Sequence, residues 1–155
     1  MKEELSLDAK RIGTGGEYMV TGKLLLNGID AHRVNEDYYP YDIVTCCDES
    51  HEKMVKIQVK TAMHSKAGFV QFELKKKNCY TKKTGDVSYS NDDVDYYALY
   101  SVERDKVYMV PYAEASSSKF RVRFEEPKIK QTSRIHWESE YTIEKFKQAI
   151  LAKAA

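Results

Sequence analysis

The chain has 155 residues, of which 42% are hydrophobic and 32% charged, with only 7 Gly and 3 Pro, a balance that excludes a disordered or low-complexity protein. Its 25 basic and 24 acidic residues leave a net charge of +1, which excludes a uniformly basic nucleic-acid coat but not a patterned surface. Cys46, Cys47 and Cys79 offer neither a disulfide framework nor zinc spacing, and no apolar run reaches the length of a membrane span. A soluble, cytoplasmic protein in a reducing compartment is expected, with residues 1–155 forming one domain. Charge is nonetheless segregated: residues 1–52 and 86–114 are net acidic, whereas 53–85 and 115–155 are net basic.

The first predicted element is a helix from Thr14, with Thr14 as its cap, Glu17 completing a capping box, and a left-handed Gly28 at its end. Met19, Val20, Leu24, Leu25 and Leu26 would form one broad buried stripe, with Val20 and Leu24 on the face of Glu17. The apolar period then changes from 3.6 to 2, predicting strands at 30–34, 41–46, 54–61 and 69–75. Residues 96–102 and 106–110 read as a hairpin across Glu103-Arg104-Asp105, closed by Pro111. Ile143, Phe146, Ile150 and Leu151 recur at helical spacing, so 142–152 should be a helix capped by Thr142. A helix, several strands and a final helix predict an α/β class, an α+β sandwich on one mixed central β-sheet flanked by helices.

The stretch with chemical content is Asp42, followed after a polar turn by Lys56-Ile57-Gln58-Val59-Lys60. Alternation places Gln58 and Lys60 on one face of a strand and Val55, Ile57 and Val59 on the other. A hard divalent cation, Mg2+ or Mn2+, takes oxygen donors, and Asp42, the Gln58 amide and the Val59 carbonyl are of that kind. Glu17 on the sheet-facing side of the first helix would add a second carboxylate, because Thr14, Gly15 and Gly16 let that helix end approach closely. Lys60 would orient the attacking water or stabilise charge developing on a phosphate.

These residues resemble the PD-(D/E)XK nuclease superfamily, which carries an acid on a helix, an Asp on a strand and acid-x-Lys on the next strand. The matching residues are Gly16-Glu17, Tyr41-Asp42 and Gln58-Val59-Lys60-Thr61. Tyr96-Tyr97-Ala98-Leu99-Tyr100 and Val107-Tyr108-Met109-Val110-Pro111 resemble its later strand pair, so the likeness spans about residues 12–112 and leaves 113–155 as an extension. The chain is most similar to the homing endonucleases of group I introns, and more distantly to archaeal Holliday junction resolvases. It departs from the pattern at Tyr41, where Pro is usual, and at Gln58, where Glu or Asp is usual.

The resemblance implies a restriction-endonuclease-like core, catalytic Glu17, Asp42, Gln58 and Lys60, and a metal held by Asp42, Gln58, Val59 and Glu17. It further implies hydrolysis of double-stranded DNA by a homo-oligomer, a dimer or tetramer, with no membrane partner. Basic and aromatic residues supply DNA-contacting candidates: Lys75, Lys76 and Lys77, then Tyr80, Lys82, Lys83 and Tyr89 in a polar loop, then Lys119, Arg121 and Arg123 on one face of a strand whose other face is apolar. The readings to be separated are a site-specific endonuclease, a junction resolvase or repair nuclease that reads DNA shape, an inactive DNA-binding module, and a protein-interaction domain. The four histidines, His32, His51, His64 and His136, lack metal-ligand spacing.

Overall fold

The computed structural model describes residues 7–34, 39–46, 52–77, 86–87, 93–115 and 118–154. Its first element is α1 (Ala9–Leu26), and the helix starts well before the expected Thr14. Asp8 is the cap, accepting the Arg11 N–H at 2.8 Å, and Ala9, Lys10 and Arg11 are strong helix formers that carry the helix through the glycines. The capping box read at Thr14 and Glu17 therefore does not exist. The far end follows expectation: Asn27 caps it, Gly28 takes φ +77°, and the Ile29 N–H returns to the Leu24 carbonyl at 3.0 Å.

Five strands form a mixed sheet: β1 (Ala31–Arg33), β2 (Ile43–Cys46), β3 (Met54–Ala62), β7 (Tyr96–Ser101) and β8 (Lys106–Pro111), lying side by side in that order. Only β3 and β7 pair in parallel, with Gln58 opposite Tyr97 and Lys60 opposite Leu99. The β7–β8 turn places Asp105 at φ 48°, where its carboxylate accepts from the Tyr100 hydroxyl at 2.9 Å and meets Lys23 at 3.1 Å.

On one face of this sheet lie α1 and α2 (Ile143–Ala154). Val20 and Leu24 of α1 and Phe146 and Ile150 of α2 pack against Val55, Ile57, Val59, Ala98 and Tyr100. Thr142 accepts the Lys145 N–H at 3.2 Å, as the sequence predicts. The other face is covered by a separate antiparallel ribbon of β4 (Phe69–Glu73) and β9 (Lys119–Arg123), whose Val70, Phe72, Phe120 and Val122 pack on Tyr97, Leu99, Tyr108 and Val110. The remaining strands, β5 (Lys76–Lys77) and β6 (Asp86–Val87), pair antiparallel.

One expectation fails in an informative way. Val20 and Leu24 are fully buried, but Met19, Leu25 and Leu26 are 43%, 49% and 89% exposed, so the apolar residues of α1 lie on two faces rather than in one broad stripe. Among the described residues no helix is long and apolar enough to cross a membrane.

Candidate active site

Asp42 sits one residue ahead of β2 and is drawn into the ladder: its N–H donates to the Ile57 carbonyl at 2.9 Å and its carbonyl accepts the Val34 N–H at 2.9 Å. That backbone lock aims its carboxylate along β3. Asp42 Oδ2 accepts the Val59 N–H at 2.8 Å and the Gln58 amide Nε2 at 2.7 Å, while the same Nε2 lies 3.4 Å from the Val59 carbonyl. Both side chains are buried, Asp42 at 6% and Gln58 at 8% exposure. Three of the groups expected at the metal, the Asp42 carboxylate, the Gln58 amide and the Val59 carbonyl, thus occupy one seam between β2 and β3.

Alternation along β3 is as the period-2 pattern requires. Val55, Ile57 and Val59 enter the core beneath the helices, and Gln58 and Lys60 point to the ribbon side, paired with Tyr97 and Leu99. The Lys60 ammonium donates to the Lys75 carbonyl at 3.3 Å, which places it where the chain leaves β4.

Glu17 is buried on the inner face of α1 at 6% exposure, and its Oε2 accepts from Arg33 Nη2 at 2.6 Å and Nε at 3.2 Å. The glycine before it is what lets α1 come so near: a Cβ on Gly16 would stand 1.9 Å from Thr61 Oγ1. Arg33 was not among the residues singled out from sequence. The signal that could have found it is physical: a carboxylate predicted on the apolar face of a helix needs a cation, and the strand after the helix offers one. The Arg33 guanidinium also lies 4.0 Å from the centre of the Tyr18 ring.

These donors suit Mg2+ or Mn2+ in kind. A small hard cation keeps several waters and needs only one or two carboxylates, with amide and carbonyl oxygens as neutral supplements. Among the described residues no group of three His, Cys, Asp or Glu side chains is assembled for a metal, so a cation here would draw on the Val59 carbonyl and on the Gln58 oxygen, the latter only with the amide turned over, because Nε2 is the atom that faces Asp42.

The expected DNA-contacting residues are divided. Lys119 and Arg121 are exposed and Arg123 is half-buried on the outer face of β9, opposite the buried Phe120 and Val122. Arg121 donates to Gln71 at 2.9 Å, and Arg121 and Arg123 each lie 5.2 Å from the Phe69 ring centre. Lys75 is exposed beyond the end of β4, and Lys76 and Lys77 form β5. Tyr80, Lys82, Lys83, Tyr89, Cys47, Cys79 and His51 lie outside the described residues.

A second polar group gathers across the sheet at β8. Glu138 accepts from Arg104 Nη2 at 3.1 and 2.9 Å, from the Tyr108 hydroxyl at 3.1 Å and from Lys106 at 3.4 Å. Burial opposes its ionisation, but the Arg104 and Tyr108 hydrogen bonds outweigh it and hold the carboxyl below its ordinary range. His136 Nδ1 lies 2.7 Å from the Tyr141 hydroxyl, which donates to Glu114 at 2.9 Å; burial, helped by Arg134, lowers the His136 pKa.

The sequence matches the family model for PD-(D/E)XK endonucleases over residues 7–144. In three dimensions the chain resembles a bacterial homing endonuclease, I-Ssp6803I, with a TM-score of 0.69 and 19% sequence identity, covering 96% of each chain. No curated protein matches it in sequence. Matched through most of its length, with a mixed sheet that carries Asp42 beside Gln58-Val59-Lys60, the chain belongs to the PD-(D/E)XK endonuclease family.

Proposed function

We propose that the protein is a divalent-metal-dependent endonuclease that hydrolyses phosphodiester bonds in double-stranded DNA at a specific site, in the manner of a homing endonuclease. The observation that carries this reading is the buried seam in which Asp42, Gln58 and Val59 meet. Asp42 and the Val59 carbonyl would hold the cation, joined by the Gln58 oxygen once that amide turns over from the orientation in which its Nε2 faces Asp42, and by Glu17 as a further carboxylate if Arg33 yields it. Bound there, the cation would polarise the scissile phosphate and offset its negative charge. Lys60 faces the ribbon side, where its ammonium can orient water and stabilise the leaving charge.

The substrate surface follows from register. Lys60 reaches Lys75, and Lys119 lies opposite Glu73 at the same end of the ribbon, so Lys75, Lys119, Arg121 and Arg123 form a basic row leading away from Lys60. Residues two apart on β9 are spaced by roughly 6.6–6.8 Å, and the row offers cations to a phosphate backbone along that line. Tyr80, Lys82, Lys83 and Tyr89 would add to this surface from the neighbouring loop. Cutting both strands requires two such sites on a two-fold substrate, so a homo-oligomer is proposed as well.

A catalytically silent DNA-binding module is the second reading, favoured by the neutral Gln58 at a carboxylate position and by the hold of Arg33 on Glu17. Incubating the protein with linear duplex and with four-way junction DNA, in Mg2+, Mn2+ or chelator, separates the cases. Metal-dependent cutting of linear duplex at one position, defined with a randomised library, is expected. Cutting confined to junctions would make it a resolvase, and a gel shift with no cutting in either metal would leave only the binding module. No salt-sensitive DNA affinity at all would indicate a protein-interaction domain.

A further inference from the structure

The outer face of α1 is built like an interface. Gly15, Tyr18, Met19, Gly22, Leu25 and Leu26 follow one another at intervals of three, one, three, three and one residues, so each type recurs after seven: Gly with Gly, Tyr with Leu, Met with Leu. This stripe is on the side away from Val20 and Leu24, and Tyr18, Met19, Leu25 and Leu26 are 61%, 43%, 49% and 89% exposed. A helix apolar on both faces is buried on both. The glycines sharpen the point. Gly16 is required by Thr61, but a Cβ at Gly13, Gly15 or Gly22 would meet nothing within 4 Å, so among the described residues no contact accounts for these helix-weakening glycines, two of which, Gly15 and Gly22, lie on this stripe.

We propose that two copies of this chain meet on the outer face of α1, helix antiparallel to helix about a two-fold axis near Tyr18 and Met19. Three features select a second copy as the occupant. The run small, large, large, small at Gly15, Tyr18, Met19 and Gly22 reads the same in both directions, which is the self-complementarity an isologous contact needs. Reversal about that axis brings Leu26 of one copy onto Arg11 of the other. There a hollow of about 440 Å3 is lined by Asp8, Lys10, Arg11, Thr14, Gly15 and Tyr18, and its residues 11, 14, 15 and 18 have the spacing of a hole that receives a knob. The exposed side chains of Tyr18, Met19, Leu25 and Leu26 also supply area: they make a patch of a few hundred Å2, the size at which an apolar patch on a monomer is often functional, and with the flanking residues two copies approach the roughly 1,200 Å2 of a stable interface.

This inference specifies the face used by the oligomer proposed above, and its test reads mass rather than cleavage, so the two readings fail separately. Sedimentation equilibrium of the full chain without DNA should show a reversible dimer, or a larger even-numbered assembly. Leu26→Glu, at a nearly fully exposed position, and Gly15→Leu, which fills the hollow without a clash inside the chain, should each weaken association by at least about tenfold while circular dichroism and the thermal midpoint of the monomer stay unchanged or rise. Leu151→Glu, on the exposed side of α2, should leave association as in the parent. A parent that is monomeric at every concentration overturns the proposal. So does an oligomer that Leu26→Glu and Gly15→Leu leave intact, or that Leu151→Glu disrupts equally.

Discussion

Asp42 and Glu138 are carboxylates drawn inward toward opposite edges of the same sheet, and they are held by different chemistry. Glu138 is gripped by a guanidinium, an ammonium and a phenol, all three from the β7–β8 hairpin, so its charge is neutralised where it ties the segment before α2 to the sheet. Asp42 Oδ2 accepts from a backbone N–H and an amide of β3, and these set its direction. The difference separates a half-buried acid tied by the cations of one hairpin from a buried acid whose direction is set by the backbone and an amide of the neighbouring strand.

The largest expected effect breaks the aimed side. Lys60→Ala and Asp42→Asn should each lower the cleavage rate by at least about 1,000-fold, with thermal midpoints near that of the parent and most of the DNA affinity retained, as measured by plasmid cleavage, calorimetry and gel shift. If Lys60→Ala cuts as well as the parent, the assignment of this site is wrong. Gln58→Glu should keep cutting but change the ratio of Mg2+ to Mn2+ activity, because it adds a charged oxygen donor.

Next in size is the helix contact that carries Glu17. Gly16→Ala should cost about 1–3 kcal/mol of stability in chemical denaturation, because Thr61 must shift, and Thr61→Ala in the same chain should recover most of the loss. Failure of that rescue would mean that the close approach is not what the glycine serves.

The clamp should respond in the opposite sense to the aimed acid. Glu138→Gln is expected to cost about 2 kcal/mol, since hydrogen bonds to charged partners weaken and Arg104 loses its counter-charge, while the cleavage rate of the folded protein is unchanged. A loss of cutting without a loss of stability would reverse the contrast drawn between the two carboxylates.

The smallest effect is a pH limb at each end. Burial pushes Tyr97 up to about 12, and burial followed by the Asp105 hydrogen bond does the same for Tyr100. Raised acids stabilise the fold fully below their unfolded pKa, so that contribution should decline as pH rises from about 10 toward 12. The lowered carboxyl of Glu138 acts in the other direction: its contribution is present above its unfolded pKa and declines as pH falls through the acid range. Denaturation midpoints across pH check both limbs, and Glu138→Gln should flatten only the acid one.

Much of the fold was legible because it rests on local patterns. The β7–β8 hairpin, the Thr142 cap, the left-handed Gly28 and the alternation of Gln58 and Lys60 with Ile57 and Val59 all follow from residue type and period. The start of α1 was misread because Thr14-Gly15-Gly16-Glu17 has the look of a capping box. The helix runs through it from Asp8, and one of its glycines is there to meet Thr61, a residue 45 positions away. Arg33 was missed for a related reason: its partner Glu17 is 16 residues away, and no periodicity connects a helix face to a strand beside it.

Residue alternation, the existence of apolar faces and the side chains able to bind a cation can all be read along the chain, since they depend on chemistry and on neighbours a few positions apart. Folding in three dimensions is what turns the Asp42 carboxylate onto Gln58 and Val59, brings Arg33 to Glu17, and divides the apolar residues of α1 between an inner and an outer face. Those outcomes depend on which strand lies beside which and on how closely a helix can approach a sheet, and both are fixed by packing between segments distant in the chain.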